Sequence, residues 1–175
     1  MRKKFSGTGV AMVTPFKKDK FVDFEALEKL INHLINGGVD FLVALGTTGE
    51  AATQDRDERK EVFEFVSQVA DGRVPLVAGF GGNNTSRLIK DIESFHFRGY
   101  DAILSASPHY NKPSQEGIYQ HYKAVADNAP VPVILYNVPG RTASNVTAKT
   151  ALHLAEHDNI IGIKEASGDL AQCME

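Results

Sequence analysis

The chain has 175 residues, of which 42% are hydrophobic and 23% are charged, and its formal net charge is -3 at pH 7. This composition excludes a disordered chain, and the interspersed charges offer no basic surface for nucleic acid or an anionic membrane. The apolar runs are far shorter than the roughly 20 residues that cross a bilayer, and residues 1–4 lack the apolar stretch of a signal peptide. Its single cysteine, Cys173, cannot form an internal disulfide. We therefore expect a cytoplasmic protein whose partners are small molecules rather than nucleic acid or membrane.

Six short apolar segments rich in β-branched residues predict buried strands. They lie at residues 9–14, 40–45, 75–80, 101–106, 131–136 and 160–164. Between them, apolar residues recur with the spacing of amphipathic helices, and Gly37-Gly38 ends the first of these helices. Side chains that can accept from free backbone donors mark four helix starts: Asp23, Asp55, Ser86 and Ser114. Strand and helix thus alternate with a repeat of roughly 30 residues, which predicts a parallel α/β fold.

Two parallel architectures fit this alternation, the doubly wound open sheet and the (β/α)8 barrel. The barrel is favoured because polar and glycine-containing segments follow every predicted strand, where the active-site loops of a barrel lie. Six strands and five helices fall two βα units short of a barrel, which usually needs about 250 residues. We therefore predict that residues 1–175 form one incomplete (β/α)8 TIM barrel domain. It would supply about the first six strands, without the closing strands and the C-terminal helices.

Lys164 ends the sixth predicted strand and is the candidate nucleophile of the chain. The two-residue period of a strand puts it on the same face as Gly162, which would leave space beside the amine if that face lines a barrel. Burial there would disfavour the ammonium form and give the free amine that attacks a carbonyl. A strand-end lysine that extends into solvent is the competing interpretation for this residue taken alone.

Tyr136 ends the fifth predicted strand. If neighbouring strands pair, a spacing of about 4.8 Å would bring its hydroxyl near the lysine amine. A phenol in that position can donate and accept the protons that imine formation requires. A structural tyrosine with a satisfied hydroxyl explains the residue equally well on its own.

Two loops contain groups that can bind carboxylates. The run Gly46-Thr47-Thr48-Gly49-Glu50 offers two hydroxyls and backbone donors, and Arg141 can bind a carboxylate through two parallel hydrogen bonds. Tight-turn chemistry for the first loop and a solvated arginine for the second are the alternatives. Neither residues 46–50 nor residues 79–84 match a nucleotide-binding loop, so we predict no nucleotide cofactor.

Residues 153–157 match the HxxEH pattern of some zinc peptidases. They fall at the end of the fifth predicted helix, which in a barrel is remote from the carboxyl ends of the strands. Histidines at this end of a helix also interact favourably with its dipole. We therefore predict no metal site.

Four motifs together resemble the dihydrodipicolinate synthase family of pyruvate-dependent class I aldolases, and their order and spacing match along the whole chain. They lie at residues 46–50, 107–113, 136–142 and 162–165. The resemblance implies a (β/α)8 barrel lyase without a cofactor. Such a lyase condenses pyruvate with aspartate 4-semialdehyde to give 4-hydroxy-tetrahydrodipicolinate in lysine (diaminopimelate) biosynthesis.

The resemblance also implies roles for individual residues. Lys164 would form the imine with pyruvate, and Tyr136 would relay protons. The pyruvate carboxylate would be held by Thr47, Thr48 and Gly49.

Further roles concern the subunit interface and the second substrate. Thr48 would link Tyr136 to Tyr110, which in the family reaches into the site of a neighbouring subunit, so a homodimer or a tetramer of dimers is implied. Arg141 would bind the carboxylate of the aldehyde. In lysine-inhibited members an acidic residue of the third helix helps to hold the inhibitor, and Arg87 stands at that position here. Feedback inhibition by lysine is therefore not expected.

Two other functions stay open. One is a different pyruvate-imine aldolase that acts on a sugar acid, similar to N-acetylneuraminate lyase, and Arg141 argues against it. The other is a catalytically incompetent fragment that serves as an assembly or binding piece.

Two further departures from the family pattern, His109 in place of a tyrosine and Ala143 in place of a glycine, touch neither the proposed nucleophile nor the proposed carboxylate sites.

Overall fold

The computed structural model describes residues 2–175, with side chains from residue 4 onwards. The chain divides into two compact units. The first extends to Gly79 and includes Phe97–Ala102, and the second consists of Phe80–His96 and Ile103–Glu175. That residues 1–175 form a single domain stays a prediction.

The first unit contains three parallel strands that pair in chain order. They are β1 (Gly9–Ala11), β2 (Phe41–Ala44) and β3 (Leu76–Gly79). Helix α1 (Phe24–Asn36) follows β1 and α2 (Arg56–Ala70) follows β2, with short 3-10 helices at Arg2–Phe5, Thr47–Gly49 and Ala51–Thr53. The predicted alternation of strand and helix is therefore observed, although β1 is shorter than its apolar run.

Both helices of the first unit begin at predicted caps. The Asp23 side chain accepts from the backbone N–H of Ala26 at 3.0 Å. Asp55 and Glu58 form a reciprocal capping box at the start of α2, an arrangement in which each cap contributes roughly 1 kcal/mol. The buried side chains behind them are contributed by helices and strands together: Leu27, Ile31, Leu42, Val62, Val66 and Leu76. These side chains form a core that α1, α2, β2 and β3 share.

The second unit also contains three parallel strands in chain order. They are β4 (Ala102–Ala106, within the unit from Ile103), β5 (Val133–Asn137) and β6 (Ile160–Glu165). Its helices are α3 (Thr85–Glu93), α4 (Gln115–Asn128), α5 (Pro139–Thr142), α6 (Ala148–Leu154) and α7 (Leu170–Met174). The predicted start of the third helix at Ser86 is wrong, because the Asn84 side chain caps α3 by accepting from the N–H of Arg87. The short helices α5 and α7 were not predicted.

Strands β5 and β6 are out of simple register at their beginning. Val133 pairs with Ile160 but Ile134 pairs with Gly162, so Ile161 is an extra residue in β6. An extra residue of this kind forms a β-bulge, which bends the strand and shifts every later pair by one position. The shifted pairing continues to the end of both strands.

Two aromatic side chains of α4 lie in the interior of the second unit. The hydroxyl of Tyr122 donates to the backbone carbonyls of Ser105 at 3.0 Å and Tyr136 at 3.4 Å, and burial raises the pKa of this phenol. His121 lies beside it, 3% exposed, with Nδ1 at 2.8 Å from Oγ1 of Thr85. Burial lowers the pKa of His121 to about 4. The helix is thus tied to the ends of β4 and β5.

Among the helices of the described residues, none is long and apolar enough to span a bilayer.

Candidate active site

Lys164 and Tyr136 lie side by side at the carboxyl ends of β6 and β5. The register pairs them directly, residue against residue. Nζ of Lys164 stands over the Tyr136 ring, 4.5 Å from its centroid, a separation at which an ammonium group is attracted to the ring face. The expected pairing of the two strand ends is therefore observed, and the approach of the Tyr136 hydroxyl to the amine stays a prediction.

The predicted burial of Lys164 is wrong for the described residues. Its side chain is exposed, as are Gly162 and Ile163. The reason lies in the sheet, because among the described residues β6 has a neighbouring strand on one side only. Within residues 2–175 no strand covers the other side of β6, so the Lys164 side chain is in contact with water.

Tyr136, in contrast, is held firmly. Its side chain is 7% exposed, and its carbonyl accepts from the N–H of Ser107 as well as from the hydroxyl of Tyr122. The ring is therefore a fixed surface beside the exposed Lys164 side chain. Tyr136 is thus the rigid member of the pair.

A polar network that the sequence patterns did not predict lies on the opposite face of the same strand ends. Asn137, which follows Tyr136, is fully buried and pairs with Glu165, which follows Lys164. Nδ2 of Asn137 donates to Oε2 of Glu165 and to Oδ1 of Asn145, each at 2.8 Å. Its Oδ1 accepts from the N–H of Val146 at 3.0 Å.

The Glu165 carboxylate has two further donors. The backbone N–H of Ser167 donates to Oε1 at 2.6 Å, and Nε2 of Gln172 donates to Oε2 at 3.3 Å. Partial burial raises the pKa of Glu165, but the hydrogen bonds from Asn137, Ser167 and Gln172 outweigh it and hold this pKa below its usual range. The signal was present in the sequence, because in both strands a polar residue directly follows the candidate site residue.

The run Thr47–Gly49 forms one turn of 3-10 helix after β2 in the first unit. The carbonyl of Gly49 accepts from Oγ1 of Thr14 at 2.7 Å and from Nε2 of Gln54 at 3.0 Å, and Gly49 is buried whereas Thr47 and Thr48 are exposed. The first N–H groups of a helix have no partner within it. The turn therefore presents two hydroxyls together with backbone donors, a combination that can bind an anion.

Gly79 holds this turn in place through a close backbone contact. A Cβ atom on Gly79 would lie 2.2 Å from the carbonyl oxygen of Leu45. Leu45 itself has a φ of 51°, a left-handed conformation that is strained for a branched side chain. The end of β3 thus packs directly on the peptide that leads into Thr47.

Arg141 and Tyr110 lie in loops of the second unit. Arg141 is exposed in α5, and Ala143, which ends this helix, has a φ of 57°, where a glycine would be unstrained. The ring of Tyr110 is 86% exposed although its backbone, at a φ of 74°, is anchored by an N–H bond to the carbonyl of Thr142 at 3.3 Å. Both side chains project from fixed backbone into solvent.

The predicted site residues are thus divided between the units. Thr47, Thr48 and Gly49 belong to the first, and the second contains Tyr110, Tyr136, Arg141 and Lys164. Within the second unit the structure brings Tyr136 and Lys164 together. The link of Thr48 to Tyr136 and Tyr110 stays a prediction.

The histidines of residues 153–157 are engaged elsewhere. His153 stacks on Tyr119 with ring centroids 4.1 Å apart. His157 contacts Oδ1 of Asp127 through Nε2 at 2.9 Å and accepts from the N–H of Asn159 through Nδ1. Over residues 2–175, no three His, Cys, Asp or Glu side chains are grouped so that they could hold a metal ion.

Strands and helices alternate, and a lysine and a tyrosine are paired at neighbouring strand ends. These features define a class of parallel α/β protein with its candidate site at the carboxyl ends of the strands. The Dihydrodipicolinate synthetase family matches residues 4–175. The chain belongs to this family.

Curated relatives and solved structures agree with this assignment. The 4-hydroxy-tetrahydrodipicolinate synthase of Flavobacterium psychrophilum is 55% identical over 98% of this chain and 59% of its own length. That of Cytophaga hutchinsonii is 54% identical over 98% of this chain and 58% of its own length. This chain therefore spans just under three fifths of the length of these relatives.

Among solved structures, the dihydrodipicolinate synthase of Acinetobacter baumannii complexed with pyruvate has a TM-score of 0.91 and 48% identity, and the match covers 95% of this chain and 57% of that one. A protein described as the first monomeric dihydrodipicolinate synthase variant has a TM-score of 0.93 and 40% identity, with 98% and 57% covered. The predicted fold class is confirmed: this chain supplies the first six strands of a (β/α)8 TIM barrel.

Proposed function

We propose that this chain provides the imine-forming part of a 4-hydroxy-tetrahydrodipicolinate synthase. In this proposal the whole protein condenses pyruvate with aspartate 4-semialdehyde in lysine (diaminopimelate) biosynthesis and needs no cofactor. The observation that carries the proposal is the placement of Nζ of Lys164 at 4.5 Å from the ring centroid of Tyr136. It is supported by the identity of 55% to a synthase of that name.

The chemistry begins with the Lys164 amine, which adds to the ketone carbon of pyruvate and forms a C–N bond. The carbinolamine then loses its oxygen as water, after that oxygen has gained a proton and the nitrogen has released one. The Tyr136 hydroxyl donates the first proton and accepts the second. Transfer of a proton from the methyl carbon to the imine nitrogen gives an enamine. Its carbon then forms a C–C bond to the aldehyde carbon of the second substrate, while the nitrogen releases a proton and the aldehyde oxygen takes one up.

Two other groups bind the carboxylates in this scheme. The hydroxyls and N–H groups of Thr47 and Thr48, on the turn that Gly49 closes by donating to the carbonyl of Gly46 at 2.9 Å, receive the pyruvate carboxylate, because hydrogen bonds to an ionised acceptor are the stronger kind. The exposed guanidinium of Arg141 receives the carboxylate of the aldehyde, and a sugar acid without a carboxylate at that point would lose this contact. Tyr110 completes the proton path from a second copy of the chain, so the proposal includes a homo-oligomer. It also includes a single barrel domain and a cytoplasmic location.

Borohydride trapping tests the first step. The protein is incubated with pyruvate and sodium borohydride, which reduces an imine to a stable amine, and the modified residue is located by intact mass and peptide mapping. We expect a pyruvate adduct on Lys164 and none in Lys164→Ala, since alanine has no amine. Lys149→Ala, which removes another exposed lysine of the second unit, serves as the matched control and should be modified as the unchanged chain is.

The exposure of Lys164 favours a second candidate, in which these 175 residues alone do not catalyse the reaction and act as a binding piece. A chain with normal circular dichroism that gives no adduct would contradict imine chemistry in these residues and favour this candidate. Complementation of a bacterial strain that requires diaminopimelate then distinguishes the synthase from the binding piece for any longer form of the protein.

A further inference from the structure

The position of Lys164 depends on a strand register that the early part of β6 does not fix. Val133 and Ile160 form the first pair of the two strands, and the bulge at Ile161 then displaces every later residue by one. If Ile161 instead paired with Ile134, the ladder would be regular. Tyr136 would then face Ile163 rather than Lys164.

Such a one-residue slip would reverse the direction of the lysine side chain. Successive side chains of a strand point to opposite faces, so a slip by one moves a residue from one face to the other. Lys164 would leave the Tyr136 ring and point to the face that now holds Glu165. Among the described residues β5 is the one strand that pairs with β6, so contacts between β5 and β6 contribute to preventing this slip.

The contact that can distinguish the two registers lies one residue beyond the candidate site. Asn137 and Glu165 are direct partners, and their side chains meet at 2.8 Å. In the slipped register Asn137 would face Lys164, and the buried amide would lose its carboxylate acceptor. Before the bulge the partners are apolar, and either register satisfies them.

Both members of the pair are themselves held in place. Oδ1 of Asn137 accepts a hydrogen bond from the N–H of Val146 at 3.0 Å, and Oε1 of Glu165 accepts one from the N–H of Ser167 at 2.6 Å. Because each side chain is fixed to its own loop, the pair meets only when the strands stand in the observed register. The hydrogen-bonded groups also hold the pKa of Glu165 low, so the acceptor stays ionised at neutral pH.

We infer that Asn137 and Glu165 act as a register lock, and that their hydrogen bond downstream of the bulge is what keeps Lys164 opposite Tyr136. They are positioning residues, because neither reaches the face on which the amine lies. The inference rests on the proposed function for its catalytic meaning, but the register itself can be measured without any substrate.

Two cysteine pairs report the register directly. In a Cys173→Ser background, which removes the native thiol, Tyr136→Cys with Lys164→Cys reports the observed pairing, since partners about 4.8 Å apart are within disulfide reach. Tyr136→Cys with Ile163→Cys reports the slip, because in the observed register these two side chains point to opposite faces. We expect the unchanged lock to give the first disulfide and not the second.

Glu165→Ala and Asn137→Ala remove the two halves of the lock. In either variant we expect the yield of the disulfide between positions 136 and 164 to fall by roughly tenfold or more, because a misplaced pair of thiols reacts far more slowly. The disulfide between positions 136 and 163 should appear. Glu165→Gln, which keeps an acceptor oxygen, should restore most of the first pattern. If Asn137→Ala does not fold, the partly exposed Glu165 position decides the question.

Asn159→Ala is the matched control. The Asn159 side chain donates to the carbonyls of Ala126 at 2.9 Å and Ala129 at 3.0 Å, so its loss destabilises the same unit on the other side of the bulge. It should lower the melting temperature and leave the disulfide pattern unchanged. A folded Glu165→Ala that keeps the 136/164 disulfide, or an Asn159→Ala that slips equally, would overturn the inference.

Imine trapping with native Tyr136 and Lys164 gives the functional readout. Glu165→Ala should reduce the rate of pyruvate adduct formation by roughly tenfold to a hundredfold, and Glu165→Gln should recover it. An unchanged trapping rate in Glu165→Ala would separate the lock from catalysis and overturn its positioning role. If the unchanged chain gives no adduct, the proposed function fails, and the disulfide pattern still decides the register.

Discussion

His121 is a buried imidazole whose neutrality makes the second unit sensitive to acid. Its pKa is lowered from 6.5 to about 4 by burial, so between these values the unfolded chain binds a proton that the folded chain does not. The free energy of unfolding is therefore greatest above pH 6.5 and falls as the pH drops toward 4. The loss should reach about 3 kcal/mol from this residue, at 1.36 kcal/mol for each pKa unit.

Urea unfolding at a series of pH values checks this expectation. His121→Asn should be less stable at neutral pH but lose less stability between pH 6.5 and 4 than the unchanged chain. His33→Asn, which replaces an exposed histidine of the first unit, is the control and should keep the original slope. Equal slopes in all three proteins would mean that His121 is already charged when folded.

Gly79 leads to a second prediction at the scale of one residue. In Gly79→Ala the new methyl group would lie 2.2 Å from the Leu45 carbonyl oxygen, so either β3 or the peptide before Thr47 must move. We expect a loss of about 1–3 kcal/mol in the free energy of unfolding, and weaker pyruvate binding because the turn proposed to bind its carboxylate shifts. Gly82→Ala, whose methyl would meet nothing within 4 Å, should change neither quantity. Calorimetric titration and urea unfolding measure both.

At the scale of elements, the sequence predicts the strands well because their apolar runs are continuous. It predicts helix caps correctly where one side chain near the helix start is able to cap and no neighbour offers an alternative, as at Asp23 and Asp55. It fails at α3, where Asn84 and Ser86 are both able to cap and only the folded backbone selects Asn84. It also fails at the bulge, because Ile160 and Ile161 are the same residue type and the hydrophobic pattern does not indicate which of them pairs with β5.

The candidate site shows the same division. The proximity of Lys164 and Tyr136 follows from strand order and could be predicted. The exposure of the Lys164 side chain could not be predicted, because it depends on what covers β6, and that is a property of neighbouring elements rather than of the strand. Asn137 and Glu165 were missed because their chemistry is structural and resembles no catalytic motif.

At the scale of the whole molecule, Tyr110 tests the proposed assembly. An aromatic ring that is 86% exposed on a backbone held at a φ of 74° is the kind of side chain that anchors interfaces. We expect the chain to sediment as an oligomer and Tyr110→Ala to shift it toward the monomer. Phe21→Ala, which removes another exposed ring, 66% accessible in the first unit, should leave the sedimentation unchanged. A monomeric unchanged chain, as in the monomeric variant among the solved relatives, would remove oligomerisation from the proposal.

Each compact unit also contains one tyrosine whose ionisation is suppressed by burial. The Tyr100 hydroxyl donates to the carbonyl of Phe63 at 2.9 Å in the first unit, and Tyr122 lies in the interior of the second. Burial raises the pKa of both phenols, so the folded chain keeps protons that the unfolded chain releases above pH 10, and the free energy of unfolding falls as the pH rises further. Phenolate absorbance in alkaline solution therefore reports the unfolding of the unit that buries each tyrosine. With Tyr100→Phe and Tyr122→Phe as separate probes, it would reveal whether the two units melt at one pH or at two.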